Sequence, residues 1–351
     1  MKREIAKGHI TLRSSSWPFS LLIERRVVAV TIGLTILLLV LFFLSAGMGE
    51  IFLNPLEVLA VLAGSGEESV SVIVTTFRLP RILVAMLVGA ALAVSGAILQ
   101  GMIRNPYVSP DIIGFTGGAS AAACAFIYWF SGVLSIHLLP IFAFAGAGLT
   151  AFVIYTLAWR KGVTPIRLVL IGIGISEGLR AVTMLFVVLS PIYAASQAYI
   201  WLTGTVYATT WENVAVLLPW VLLGITAACL SVRSMNVQQL GDELAAGLGS
   251  PVQRQRLLLL IISVVLAGAA VSIAGAVGFV GLIAPHIARK LVGPSFGGVL
   301  PVAALTGAVI VALADLVART AFAPLDIPVG VFTAAVGAPF FIYLLYRTRK
   351  Q

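Results

Sequence analysis

Charge is scarce in this chain. Only 10% of its 351 residues are Asp, Glu, Lys or Arg, 60% are hydrophobic, and the mean hydropathy is +1.09. That balance excludes an ordinary soluble domain. Cysteine is nearly missing too: Cys124 and Cys229 both sit inside apolar segments, so neither a disulfide framework nor a paired-cysteine metal site is indicated. The three histidines, His9, His137 and His286, are far apart in sequence, and no metal site is expected from them. No Gly-Lys pair occurs, so the phosphate loop G-x-x-x-x-G-K-[ST] is absent and the chain is not expected to hydrolyse ATP. Clustered histidines, paired carboxylates and nucleophile–base sets at membrane depth are lacking as well, which argues against a membrane enzyme or a resident cofactor. The net charge of +9 would point to nucleic acid in a soluble chain. Here it reads instead as basic residues holding loops on one side of a membrane, with no nucleic-acid partner expected.

Long apolar runs are what the chain has in plenty. A helix of about 20 apolar residues crosses the hydrocarbon of a bilayer, and unpaired backbone groups are too costly there for open strands or loops. Breaks at charge, Pro and turn residues divide the chain into about ten spans: 27–46, 80–103, 112–130, 138–159, 166–189, 213–232, 257–275, 277–292, 299–319 and 328–346. The eighth is the shortest. The first follows a basic region and ends in "LSAG", as a cleavable signal does. Its apolar run from Val27 to Leu44 is long for a signal core and reads as a membrane span. The stretch between the fifth and sixth spans is polar and aromatic, and predicts a short interfacial helix around 196–204. With both termini cytoplasmic, 18 of the 22 basic residues fall on the cytoplasmic side, as the positive-inside rule requires. Arg78, Arg81 and Arg319 fall outside, and Arg180 within the membrane. The expectation is an all-α polytopic membrane protein: a cytoplasmic segment 1–26, one transmembrane domain 27–346 with a cytoplasmic coupling region 233–256, and a tail 347–351.

Internal similarity adds architecture. "GAALAVSGAI" (89–98) matches "GAAVSIAGAV" (268–277), and at the same offset of 179 residues Pro106 falls on Pro285 and Gly114 on Gly293. One copy begins outside and the other inside, the pattern of an inverted repeat whose halves meet near the midplane of a transporter. Within the fifth span, Glu177 and Arg180 share a helix face at i, i+3. They read either as a mutually neutralising pair buried within the bundle or as a pair lining a pathway, since intramembrane charge tends to mark routes. Asp315 stands four residues before Arg319 and is placed to orient it. The longest polar cytoplasmic insertion, "NVQQLGDELAAGLGSP", predicts a short amphipathic helix that begins at Gly241-Asp242, carries Leu244 and Leu248 four apart, and stops at Gly249 before Pro251. Its acidic Asp242 and Glu243 argue against a bed of anionic lipid and for a protein partner.

The segments "RLPRILVAMLVGAALAVSGAILQGMIRNP", "WLTGT", "GDELAAGLG", "GAVGFVGLIAPHIAR" and "ADLVAR...DIPVGVFTAAVGAPFFIYLL" together resemble the permease subunits, of the FecCD type, of bacterial ABC importers for iron-siderophore complexes and vitamin B12. The resemblance covers roughly residues 30–346, with the motifs in the family's order. Two places depart from it: Tyr107-Val108 stands where the family usually has Leu-Ala, and "GPSFGG" where it has an Asp-His-Arg-like loop.

The resemblance implies a ten-helix subunit of the bacterial cytoplasmic membrane that pairs with a second permease, itself or a homologue. It further implies two cytoplasmic ATP-binding cassette subunits and an extracytoplasmic substrate-binding protein that delivers the cargo. Gly241, Asp242, Glu243, Ala246, Gly247, Leu248 and Gly249 match the family's coupling helix, which sits in a cleft of the ATPase. Arg78, Arg81 and Arg319 match positions that meet acidic residues of the binding protein. The motif wording favours a ferric siderophore as cargo, with haem or cobalamin as alternatives. An ion-coupled secondary transporter would share the repeat but needs intramembrane carboxylates, of which Glu177 is the obvious one.

Overall fold

The computed structural model describes residues 9–13, 20–49 and 51–348. A small hairpin comes first, β1 (His9–Arg13) paired antiparallel with β2 (Ser20–Glu24). It was not foreseen within the 1–26 segment, of which residues 1–8 and 14–19 lie outside the described residues, as do residues 349–351 of the tail. The rest is helical: α1 (Arg25–Gly47), α2 (Pro55–Leu62), α3 (Glu68–Ile103), α4 (Pro110–Ile113), α5 (Phe115–Phe130), α6 (Leu139–Ala158), α7 (Pro165–Leu189) and α8 (Ile192–Thr203). Then follow α9 (Trp211–Leu230), α10 (Val232–Gln238), α11 (Asp242–Gly247), α12 (Val252–Ala274), α13 (Val280–Val292), α14 (Phe296–Thr320) and α15 (Val329–Thr348).

Each of the ten expected spans falls on a helix, but eight helices among the described residues are long and apolar enough to cross a bilayer on their own. The third span is split. Gly114 takes φ +102°, a left-handed conformation open to glycine, and ends α4 before α5 begins, leaving α5 at 16 residues. The eighth, α13, has 13 residues and opens after Phe279, itself at φ +65°. The predicted interfacial helix around 196–204 is α8, starting four residues earlier.

Three helices form the centre. In α3, 78% of the most apolar stretch is buried, and α12 and α14 come close to that, whereas for α1 the figure is 6% and for α7 17%. Close approach at the centre depends on missing side chains. A Cβ on Gly89 would fall on the carbonyl of Gly307 in α14, and one on Gly96 on the carbonyl of Gly281 in α13. Small residues at helix crossings are the usual device where lipid supplies no hydrophobic drive. The helices that carry the two repeat copies, α3 and α12, lie side by side, with Ser95 Oγ and Ser263 Oγ 2.7 Å apart and buried. Their backbones diverge at equivalent glycines: α3 runs on through Gly96, while α12 ends at Ala274 with Gly275 at φ +68°.

Near its start α3 contains a π-helical stretch, Ile73–Arg78, before the regular helix resumes at Leu79. Such stretches place side chains out of the α register and recur at functional positions. Here Arg78 is its last residue, Arg81 follows it, and Trp211 Nε1 of α9 donates to the Thr75 carbonyl at 2.8 Å.

Candidate functional site

At one end of α3 the three exceptional arginines meet in one cluster. Helix α1 ends at Gly47, and its last carbonyls have no helical partner. Arg78 donates to the Ala46 carbonyl at 2.6 Å, to Gly47 at 3.0 Å and to Ile51; Arg319 donates to the Ser45 and Met48 carbonyls and to Ser45 Oγ. Two guanidiniums thus cap one helix terminus, where the macrodipole also favours positive charge. Arg81 turns the other way. It meets Asp315 of α14 at 2.7 Å and holds Asp326, in the link before α15, through both carboxylate oxygens. Its guanidinium lies 5.7 Å from the Tyr207 ring centroid. Asp315 also pairs with Arg319 at 3.5 Å, the i, i+4 pair expected. Arg78, Arg81 and Arg319 are largely buried, and Asp326, 25% exposed, is the most open charge of the group. A cavity of about 330 Å³ opens over them, lined also by Phe77 and Tyr207.

The far end of α3 presents a different arrangement. Gly241, at φ +106°, turns the chain into α11, which matches the short helix expected there and ends before Gly249 at φ +79°. Asp242 at its first position is held by Arg256 Nη2 at 2.7 Å and by Arg104 at 3.3 Å. Ala245 is the buried residue of α11. Leu244 and Leu248 point away from the chain, 63% and 69% exposed, Glu243 and Ala246 are exposed beside them, and Gly247 faces open space. The apolar stripe of this helix is therefore uncovered.

Between the two ends a cavity of about 570 Å³ is lined by Asp111, Thr116, Ser176, Arg180, Thr183 and Phe279, among others. Glu177 and Arg180 pair at 3.5 Å on the outer face of α7, with 62% and 77% of their side chains exposed. In the single chain they are not buried in the bundle, and Arg180 stands on the cavity wall. No cluster of His, Cys, Asp or Glu able to hold a metal occurs among the described residues.

Several residues of these sites were not singled out from sequence. Asp111 lies on the cavity wall and accepts from Thr116 Oγ1 at 2.7 Å; its signal is an acidic residue at the head of an apolar segment, in a chain with 13 acidic residues. Arg256 counted only as one more basic residue, yet it is 1% exposed. Asp326 opens the "DIPVG" segment of the resemblance but, like Tyr207, was not singled out, because what distinguishes both is contact with Arg81.

Comparison with known proteins gives a consistent result. The model of the FecCD transport family matches residues 37–347. The achromobactin transport system permease protein CbrC of Dickeya dadantii (strain 3937) is 50% identical over 90% of this chain and 90% of its own length. The cobalamin import system permease protein BtuC of Halobacterium salinarum is 46% identical over 79% of this chain and 74% of its own. Among solved structures, an inward-facing conformation of a metal-chelate type ABC transporter superposes with a TM-score of 0.82 at 31% identity, covering 91% of this chain and 99% of that one.

Proposed function

The chain belongs to the FecCD transport family and is a multi-pass permease subunit of an ABC importer in the cytoplasmic membrane; from that premise we propose that its cargo is a ferric siderophore handed over by an external binding protein. The observation that carries the importer mechanism is α11. It exposes Leu244 and Leu248 beside an anchored Asp242, in a chain with no phosphate loop of its own. An apolar helix face next to fixed polar groups fits a groove on a partner, and ATP hydrolysis is assigned to that partner.

The distribution of basic residues supports α11 on the cytoplasmic side and the arginine cluster outside. A second permease, identical or homologous, is assigned to the outer face of α7, so that the cavity wall with Arg180 and the Glu177–Arg180 pair faces a shared pathway. The arginine end is assigned to the binding protein. Arg78 and Arg319 shape this surface from beneath, and the Arg81–Asp326 pair forms its charged rim. The siderophore reading draws on relatives such as the achromobactin permease. Cobalamin is the second reading, favoured by the resemblance to the Halobacterium protein. Uptake of labelled ferric siderophores and of labelled cobalamin, in cells with and without this chain, decides between them. Loss of cobalamin uptake with iron uptake intact would reverse the order.

A further inference from the structure

Arg256 is among the largest side chains fully enclosed in the fold, 1% exposed, and it carries a charge. It sits in the second turn of α12 and reaches two other elements at once. Nη2 binds Asp242 at the head of α11, and Nη1 donates to the Val163 carbonyl in the 159–164 loop between α6 and α7. One turn earlier, Gln253 brackets the same loop residue: its Oε1 accepts from Val163 N at 3.0 Å and its Nε2 donates to the Val163 carbonyl at 3.4 Å. Val163 is fully buried, and α7 begins two residues later at Pro165. Arg167 in the first turn of α7 donates back to the Ala158 carbonyl at 3.1 Å, closing the loop on itself.

Holding three elements together does not need a charge. Apolar side chains of similar volume replace buried ion pairs at little or no cost in stability. Arg256 leaves its own Nε without a hydrogen-bond partner in the interior, a cost that packing alone would not require. What a guanidinium provides is a planar fork that fixes the direction of two neighbours relative to each other. From the 159–164 loop, α7 runs with little cover to the cavity wall at Ser176, Arg180 and Thr183, roughly 20–30 Å away at 1.5 Å per residue.

We propose that Arg256 is a positioning residue for transport, joining α11 to the 159–164 loop so that displacement of α11 by the ATPase is carried into α7 and the cavity wall. The inference rests on the importer reading above. It makes α7 the moving wall and the buried α3, α12 and α14 the frame it moves against.

The test uses the whole transporter, with its ATPase and binding protein, in liposomes. Spin labels go on the native, exposed Cys229 and on Lys161→Cys in the loop. In the wild type the label distance changes between the nucleotide-free and the vanadate-trapped states. In Arg256→Lys, which keeps the charge and loses the fork, that change is abolished, and cargo transported per ATP falls about tenfold, the weight of one charge-assisted hydrogen bond. Gln253→Ala, on an exposed side chain, gives a smaller loss of the same kind. A wild-type transporter that imports cargo with no change in label distance overturns the inference, whether or not the variant assembles. So does an Arg256→Lys complex with wild-type coupling. Absence of ATP-driven uptake in the wild type is a separate outcome and removes the importer reading itself.

Discussion

The regular part of α3, from Leu79 on, is flanked by charge, with Arg81 in its first turn and Arg104 just past its end, roughly 35 Å apart at 1.5 Å per residue. The two ends use that charge in opposite ways. Around Arg81 three guanidiniums meet two carboxylates and the carbonyls of a helix terminus, and the charge is matched inside the chain, with Asp315 Oδ2 and Arg319 Nε meeting only as an ion pair at 3.5 Å. Around Arg104 one carboxylate, Asp242, is pinned between two arginines, and the helix it begins leaves its leucines uncovered. The first is a rigid surface whose charge is committed inward. The second is a fixed root with a free apolar tip. Substitutions should therefore damage folding at the first end and partnership at the second.

The largest effect is expected at Asp315, 1% exposed and shared by Arg81 and Arg319. Asp315→Ala takes the shared carboxylate from two largely buried cations, leaving Arg81 to Asp326 and Arg319 to neutral oxygens, and should cost about 3–5 kcal/mol, read as a lower midpoint of thermal unfolding in detergent or as loss of the monodisperse protein. Next comes Arg78→Ala, which takes a donor from the Ala46 and Gly47 carbonyls at the end of α1 and from the Ile51 carbonyl beyond it, and should cost about 3 kcal/mol. Arg78→Lys should recover only part of this, because one ammonium does not reproduce the fork. At the other end, Leu244→Ser with Leu248→Ser should change stability by less than about 0.5 kcal/mol, since both side chains are exposed. The same pair should weaken capture of the ATPase about tenfold or more in a pull-down titration. A double variant that lowers the unfolding midpoint as far as Arg78→Ala does, while still folded and still capturing the ATPase at wild-type strength, would erase the contrast between the ends. The smallest effect belongs to Asp326→Asn. Losing this partly exposed partner should cost at most about 1 kcal/mol. It should strengthen capture of an acidic binding protein two- to threefold at low salt, by freeing Arg81, and the gain should fade as ionic strength rises.

How much of this could be read beforehand depends on the kind of partner a residue has. The long spans were visible because twenty apolar residues in a row leave little choice of structure. The limits of α11 were visible because glycines at Gly241 and Gly249 mark left-handed turns. The split at Gly114 was not, since a glycine within an apolar run reads equally well as a packing position. Arg78 and Arg319 stood out as breaks in the charge rule, but their partners are backbone carbonyls, which every residue carries and no sequence pattern marks. The outward turn of Leu244 and Leu248 needed more than periodicity, which shows that a helix has an apolar face without showing whether the same chain covers it; the acidic Asp242 and Glu243 beside them, and the likeness to a coupling helix, were what pointed to a partner. Arg256 was hidden for a related reason, because its meaning comes from Val163, 93 residues away.

The crossing of α3 with α13 and α14 bears on how the protein is made. The Gln100 side chain that binds the Gly281 carbonyl waits 181 residues for its acceptor to be synthesised, and Gly89 waits longer for Gly307. At a ribosomal pace of about 5–20 residues per second, α3 spends roughly ten to forty seconds without its final neighbours. During that time Ser95, Gln100 and the bare glycine faces are open to lipid or to whatever insertion machinery shelters them. The most enclosed helix of the finished transporter is thus the one left longest unprotected, and glycine-to-larger substitutions along it should show first as nascent chains removed before they ever reach a partner.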